Sequence, residues 1–517
     1  MESWQIPLVV VEATMLTFLL AGVSFLVYTV TYNTLFHPLA KCPGPFIARF
    51  TNLYAAWHAW KGDMYLDMWR CHLKYGDRIR YGPNRILINT AEAVHDIYGR
   101  LAPVKKFEGY RVLASKAPNM LTMSDKTQHA RRRRVISQAF SEGSMRKFEP
   151  ILVAKLDRFC QLLRACQEDS DQWTSPLNMA SRFNYLVFDI LTTVAFGADY
   201  NTMEQSRFRH VLDAISETNI RLSVVMQASK LTLWHLDRKV FTQSAKAGYK
   251  FVKFLRKLLK DRLANDAAPN DIFSFLQQCK DPETGKGLSD VELSTETATF
   301  LVAGSDTTST TLSALSYYLS SSPRCYRRVA EEVRRTFKSS DEIRLGPKLN
   351  SCVFLRACVD ETLRLSPPGG ATFWREVEAG GASFGGDFVP GGCEVGVAVC
   401  TMHHHPGYWV DPFAYKPERW LNDRGKAKDQ VDLRLPYFPF SIGSRSCVGK
   451  PLAISQIMLT YARLFWEFDF RKAETSPHAW EMRGNGEDND AEFPDYTLKE
   501  HVAGRGEGPS LCFKARF

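Results

Sequence analysis

The sequence predicts a mainly α-helical protein with a small β portion, a single large domain preceded by one membrane-spanning helix. Three observations predict it. An uncharged apolar run covers residues 13–30. Apolar residues then recur at three- and four-residue spacing over 148–163, 251–263 and 289–319, the period of an amphipathic helix. Runs rich in β-branched residues are short and few, at 85–88 and 395–399. The 517 residues are 45% hydrophobic and 24% charged, proportions that argue against wholesale disorder and against a polytopic membrane protein.

At ~1.5 Å per residue the 13–30 run spans about 27 Å as a helix, close to the thin bilayer of the endoplasmic reticulum. Trp4 precedes it, and Tyr28 and Tyr32 lie at its far end, where amphipathic rings favour the interface. A cleavable signal peptide would want a basic leading segment and a small-x-small cleavage site, and the run has neither. The core helix of a soluble protein is the other competing reading. Glu2 stands before the run, whereas His37, Lys41 and Arg49 follow it, so the positive-inside tendency puts the body of the protein in the cytosol. Pro38, Pro43 and Pro45 then stop any helix and predict an extended, semi-rigid spacer. The boundary falls near residue 40, between an anchor with a proline-rich hinge over 1–40 and one large domain over 41–517. Polar loops are expected at 265–270, 422–432 and 485–490.

Basic residues outnumber acidic ones by 66 to 56, a net charge of +10. No nucleic-acid-binding motif accompanies this charge, so attraction to an acidic protein or membrane surface is the expectation, without nucleic acid as a partner. The 12 cysteines form no CxxC pair and scatter through apolar stretches such as 354–359. They read as reduced, buried small hydrophobes of a reducing compartment, with one exception.

That exception is Cys447, in the stretch FSIGSRSCVG from Phe440 to Gly449. A cysteine ligates metal as the thiolate, which requires a compensating field. Gly443 and Gly449 permit tight turns and close approach of backbone to a flat group. The helix expected from Pro451 onward turns its positive end toward the sulfur. Further upstream, Glu361 and Arg364 stand at i and i+3 of a helix, and Arg419 lies in the stretch PERW. Asp306 and Thr307 belong to AGSDTT, residues 303–308, where a glycine beside back-bonding threonines predicts a local kink. Alone, that stretch fits a Ser/Thr-rich helix contact equally well. His129 and Arg133, at i and i+4, share a helix face, while Arg131, Arg132 and Arg134 spread over others as a solvated surface or a docking site for an acidic protein, which the resemblance named next would make an electron donor.

Together these segments resemble the haem-thiolate monooxygenases, the cytochromes P-450. All five defining positions of FxxGxRxCxG match, and the remaining motifs follow in family order over nearly the whole chain. The resemblance implies the P-450 fold and haem b, with Cys447 as the axial ligand of its iron. It further implies that Arg445, His129, Arg133 and Arg375 contact the haem propionates and that Phe440 packs near the sulfur. Glu361, Arg364 and Arg419 would form a buried structural triad. Thr307 with Asp306 would hold and relay protons to dioxygen, the acid exchanging them with water and the hydroxyl donating and accepting at once. By position, Phe300, Ala303, Thr307, Ala371 to Phe373, Phe107 and Tyr110 would line the pocket over the distal face. An apolar pocket of this kind implies a lipophilic small-molecule substrate.

The implied reaction inserts one atom of O2 into that substrate by hydroxylation or epoxidation. Electrons would come from NADPH through cytochrome P-450 reductase, with cytochrome b5 as a further candidate donor. A thiolate ligand suits this task because it favours O–O cleavage. The FHPL and RRRR stretches resemble filamentous-fungal members of secondary metabolism. Two rivals stand beside this reading. A haem-thiolate isomerase or dehydratase needs no external electrons, and the intact Asp306–Thr307 pair argues against it. A haem protein that binds a ligand without turnover has no use for those residues.

Overall fold

The computed structural model describes residues 8–114, 117–169, 172–264, 271–422, 425–428, 436–473 and 496–517. Glu2, Trp4, the expected loops at 265–270 and 485–490, and most of that at 422–432 lie outside the described residues. The apolar run forms a helix over Leu8–Thr31 that continues as a π-turn over Tyr32–Phe36. The segment Glu12–Phe36 has a mean hydropathy of 1.9 and none of it is buried by the rest of the chain. Its length and bare apolar surface fit a membrane anchor.

The anchor is tied to the body by one buried arginine. In the π-turn the His37 N–H bonds Tyr32 O (2.8 Å), and the next position, Pro38, has no N–H to offer Asn33 O. Arg80 takes that role, with Nη1 2.7 Å from Asn33 O and Nη2 2.9 Å from Asn33 Oδ1. Arg80 is fully buried, and its remaining donors go to Pro83 O. The extended spacer expected here does not form. Residues 37–42 fold as turns, with Ala40 N–H on His37 O and Cys42 N–H on Leu39 O. Leu39 and Cys42 are buried, so the prolines end the helix but the chain then docks and satisfies its backbone in turns.

The three periodic stretches lie within helices Glu142–Arg164, Thr242–Leu263 and Asp290–Ser321. Ser289 caps the last of these in a capping box with Glu292, a device worth about 1 kcal/mol. Through the position of the predicted kink at Gly304, the helix runs without a break from Asp290 to Ser321. Gly304 serves packing instead. A Cβ there would lie 3.0 Å from Leu191 Cδ1, so its absence lets the Met179–Phe196 helix approach closely. The main core fills the space among these helices and the Val353–Leu365 and Lys450–Glu467 helices.

The β portion is a five-stranded sheet in the order Arg78–Gly82, Arg85–Ile88, Glu394–Gly396, Arg375–Val377, Val104–Lys106. The second β-branched run is strand only to Gly396, because Val399 already opens the short helix Val399–His403. The register sets Lys106 opposite Arg375. A C-terminal hairpin pairs Lys499–Glu500 with Gly504–Arg505. All 12 cysteines are free thiols, of which Cys447 is exposed, Cys166 half-buried and the others buried.

Candidate active site

The Cys447 loop is wound by three backbone bonds: Ser441 N–H to Phe438 O (2.9 Å), Ser446 N–H to Gly443 O (3.2 Å) and Cys447 N–H to Phe440 O (2.8 Å). Gly443 has φ +67°, and a Cβ there would lie 2.2 Å from Tyr98 O, so only glycine fits. Gly449 departs from the expectation of a glycine-only turn. Its φ is an ordinary −79°, and a Cβ there would meet only Cys447 Sγ, at 3.8 Å. Phe440 is half-buried against the main core.

The N–H groups of Gly449 and Lys450, at the start of the Lys450–Glu467 helix, donate to Cys447 Sγ. Burial raises the thiol pKa, while these donors and the charges of Arg133 and Lys450 oppose the rise. The thiol is nonetheless exposed. A sulfur both desolvated by surrounding protein and open on one side faces an internal space rather than bulk water.

Beside it lie four cations with no carboxylate partner among the described residues. Arg133 donates to Ser446 O (2.6 Å) and Oγ (2.9 Å). Arg445 donates to Met123 O (2.5 Å) and Ser124 O (3.1 Å). Arg375, buried on the central strands, donates to Phe373 O and Trp374 O. Lys106, buried opposite it, has its Nζ 4.4 Å from the centre of the Tyr110 ring. Burial, then the neighbouring Arg375 and Arg133, push Arg445 down to about 10. Burial, then Arg375 and Arg445, push Lys106 well below its ordinary value. His129 is buried within the same field and pushed down to about 3, so it is neutral at physiological pH.

Unpaired buried cations are costly, and this cluster lacks a dianion. A flat group with two carboxylates on one edge, seated against Cys447, supplies one. The donor set therefore fits haem b with its propionates. Sequence reasoning missed Lys106. Its signal was strand alternation, which turns Lys105 outward onto Glu376 (3.0 Å) and Lys106 inward. Tyr110, expected in the apolar pocket, is buried against this cluster, bonded to Arg375 and pushed up to about 12 by burial. Phe107, expected beside it, is a core residue. Its ring stacks on the Arg85 guanidinium (4.8 Å), which also pairs with Glu394.

Arg131, Arg132 and Arg134 do not form a free docking surface. Arg132 is buried on Glu292 and Glu296, and Arg131 also reaches Glu292 (3.3 Å). Arg134 bonds Asp281 (2.7 Å) and Glu283 (2.9 Å).

The structure brings Glu361, Arg364 and Arg419 together. Arg364 donates to both oxygens of Glu361 (3.0 and 2.9 Å) and Arg419 Nε to Oε1 (2.9 Å). Trp420 Nε1 and Lys416 N–H complete the carboxylate's shell (2.9 and 3.0 Å). Arg364 spends its other donors on His403 O (2.8 Å) and Pro412 O (2.6 Å). Glu361 and Arg364 are both fully buried.

On the long helix, Ala303 is exposed and Thr307, one turn on, is half-buried, although the turns that follow are buried. Thr307 Oγ1 donates to Ala303 O (2.8 Å), which leaves its lone pairs free. Asp306 points elsewhere. It is buried, accepts from Asn219 Nδ2 (3.2 Å) and lies in the field of Arg505, and burial raises its pKa. The acid and the alcohol are thus not hydrogen-bonded to each other. Phe300 lies edge-on to Phe140 (5.3 Å) and packs on the core. Ala371 is buried and Phe373 half-buried, edge-on to Tyr98 (6.3 Å).

An accessible thiol facing inward, with cationic seats for two carboxylates beside it, defines a haem-thiolate site. The chain belongs to the cytochrome P450 family, whose family model matches residues 43–484. It is 46% identical over 488 residues to cytochrome P450 monooxygenase poxM of Penicillium oxalicum, covering 94% of this chain and 92% of that one. It is 40% identical over 516 residues to cytochrome P450 monooxygenase AKT7 of Alternaria alternata, covering 98% of each. The cytochrome P450DA haem domain shares the fold, with a TM-score of 0.71 at 17% identity over 92% of this chain and 98% of that one. The protein is accordingly a haem-dependent monooxygenase that uses O2 and NADPH-derived electrons from a redox partner on a lipophilic substrate.

Proposed function

We propose that the protein is held by residues 1–40 in the endoplasmic reticulum membrane and that its catalytic domain, 41–517, works in the cytosol on a lipophilic intermediate of fungal secondary metabolism. Cytochrome P450 reductase is the donor, with cytochrome b5 as a second. The fungal relatives support the setting. The basic residues Lys41 and Arg49 after the anchor support the orientation. A second apolar surface supports the membrane assignment. Phe46, Ile47, Trp57 and Trp60 are exposed, as are Leu233, Trp234 and Val240, which alternate with Lys230, Arg238 and Lys239 as interfacial segments do.

In this reading Cys447 ligates the haem iron through Sγ, and Arg133, Arg375, Arg445 and Lys106 hold the propionates while Tyr110 braces Arg375. Bound haem supplies the activation of O2 and the transfer of its oxygen atom. The chain orients substrate against Ala303 and Phe373 and moves protons. Thr307 Oγ1 accepts a hydrogen bond from the cleft while its own proton rests on Ala303 O, and rotation of the hydroxyl lets it donate. Asp306 Oδ1, with Oδ2 held by Asn219, takes up a proton for the relay, and its raised pKa favours that uptake. The observation that carries the reading is Cys447, the exposed cysteine in a field of cations and helix N–H groups. Cys447→Ser is expected to abolish the thiolate-type absorption band of the reduced carbon monoxide complex. A band that persists overturns the ligand assignment.

A further inference from the structure

The C-terminal hairpin fastens three elements at once. Gly504 O accepts from Thr310 of the long helix (2.8 Å), and Gly504 N–H donates to Pro368 O (2.6 Å). Glu500 N–H donates to Gly62 O (2.8 Å), at the end of the Leu53–Lys61 helix. Just before the hairpin, Leu498 exchanges two 3.1 Å bonds with Tyr65 Oη. At the centre of this junction the Glu500 side chain is buried. Its two oxygens accept the Ala371 N–H at 3.1 and 3.0 Å, and the Gly370 N–H donates to it as well. No basic side chain pairs with it among the described residues. A buried carboxyl without a cation is a costly choice for merely filling space.

What it holds explains the choice. Residues 369–373 carry Ala371 and Phe373 and lead directly into Arg375 of the cation cluster. With this loop as a wall of the proposed cleft beside Ala303 and Thr307, outward motion would widen that space and inward motion would narrow it. We propose that Glu500 is a positioning residue for substrate specificity, whose grip on the Gly370 and Ala371 amides sets how closely this loop stands over a bulky lipophilic ligand. The inference rests on the reading of Ala303, Thr307 and Phe373 as walls of the substrate cleft.

The grip is also graded by protonation. Burial pushes the Glu500 carboxyl up to about 8, so between about pH 7 and pH 9 it passes from neutral acid to carboxylate, the stronger acceptor. The other groups facing it do not titrate in that window. Tyr65 on the Met64–Tyr75 helix and Cys400 on the Val399–His403 helix are both pushed far up by burial. His501, bonded to Ala59 O, is pushed down and neutral.

The full-length, haem-loaded protein, Glu500→Gln and Glu500→Asp are titrated with clotrimazole, a bulky azole whose binding shifts the haem absorption, at about pH 7 and pH 9. The wild type is expected to bind about threefold tighter or more at the higher pH, as the carboxylate pulls the loop in. Glu500→Gln, neutral throughout, is expected to show no such change, and Glu500→Asp, shorter by one methylene, to bind more weakly at both. All three should keep the thiolate-type carbon monoxide band. A wild-type affinity that is flat across this range overturns the proposal, whether or not Glu500→Gln folds, and so does a Glu500→Gln that follows the wild-type profile. Loss of the band in the wild type is a different failure, that of the haem-thiolate reading itself.

Discussion

The Glu361 network and the Lys106, Arg133, Arg375 and Arg445 cluster both draw arginines out of bulk solvent, but only in the first do they meet a carboxylate of the chain. Around Glu361, one carboxylate meets two guanidiniums, an indole N–H and an amide, and the spare donors of Arg364 end on carbonyls. In the second cluster the cations end on carbonyls, a hydroxyl and aromatic faces, and each depresses its neighbours. A closed network is architecture. An open one is a socket, and the sign of its imbalance names what enters.

The largest test breaks the closed side. Glu361→Gln leaves Arg364 buried without its anion, and a loss of roughly 3–5 kcal/mol is expected, read by denaturant unfolding, with little haem taken up. The open side should respond the other way. Arg375→Leu and Lys106→Met are expected to leave the haem-free protein as stable as the wild type or more so, measured by thermal unfolding. Haem transfer to apomyoglobin should accelerate, about 10- to 100-fold for Arg375→Leu and less for Lys106→Met, the range of one charge-assisted hydrogen bond. Equal destabilisation of the haem-free forms would erase the distinction drawn here. The smallest effect is expected at the arginines that are already paired. Arg131→Ala and Arg134→Ala should change the reductase concentration for half-maximal turnover by less than about twofold.

What could be read from the sequence was whatever is local. Glu361 and Arg364 are one helical turn apart, and Gly443 to Cys447 lie in a single loop, so spacing alone discloses them. The partners of Arg131, Arg132 and Arg134 lie about 150 residues on, at Asp281, Glu292 and Glu296, and no local pattern tells a paired arginine from a free one. Lys106 and Tyr110 were misjudged or missed for the same reason, since the register that sets Lys106 against Arg375 joins distant strands. Glu500 carries no motif at all. Its meaning comes from the Gly370 and Ala371 amides it faces. The prolines after the anchor were read as stiffness, and the chain used them as corners.

Arg80 bears on how a soluble version of this enzyme should be cut. Trimming after Phe36 removes both Asn33 acceptors and strands a fully buried guanidinium on Pro83 O alone, whereas trimming upstream of Thr29, whose carbonyl orients the Asn33 amide, keeps that junction whole. The greasy segment can be shortened, but its last turns belong to the folded enzyme.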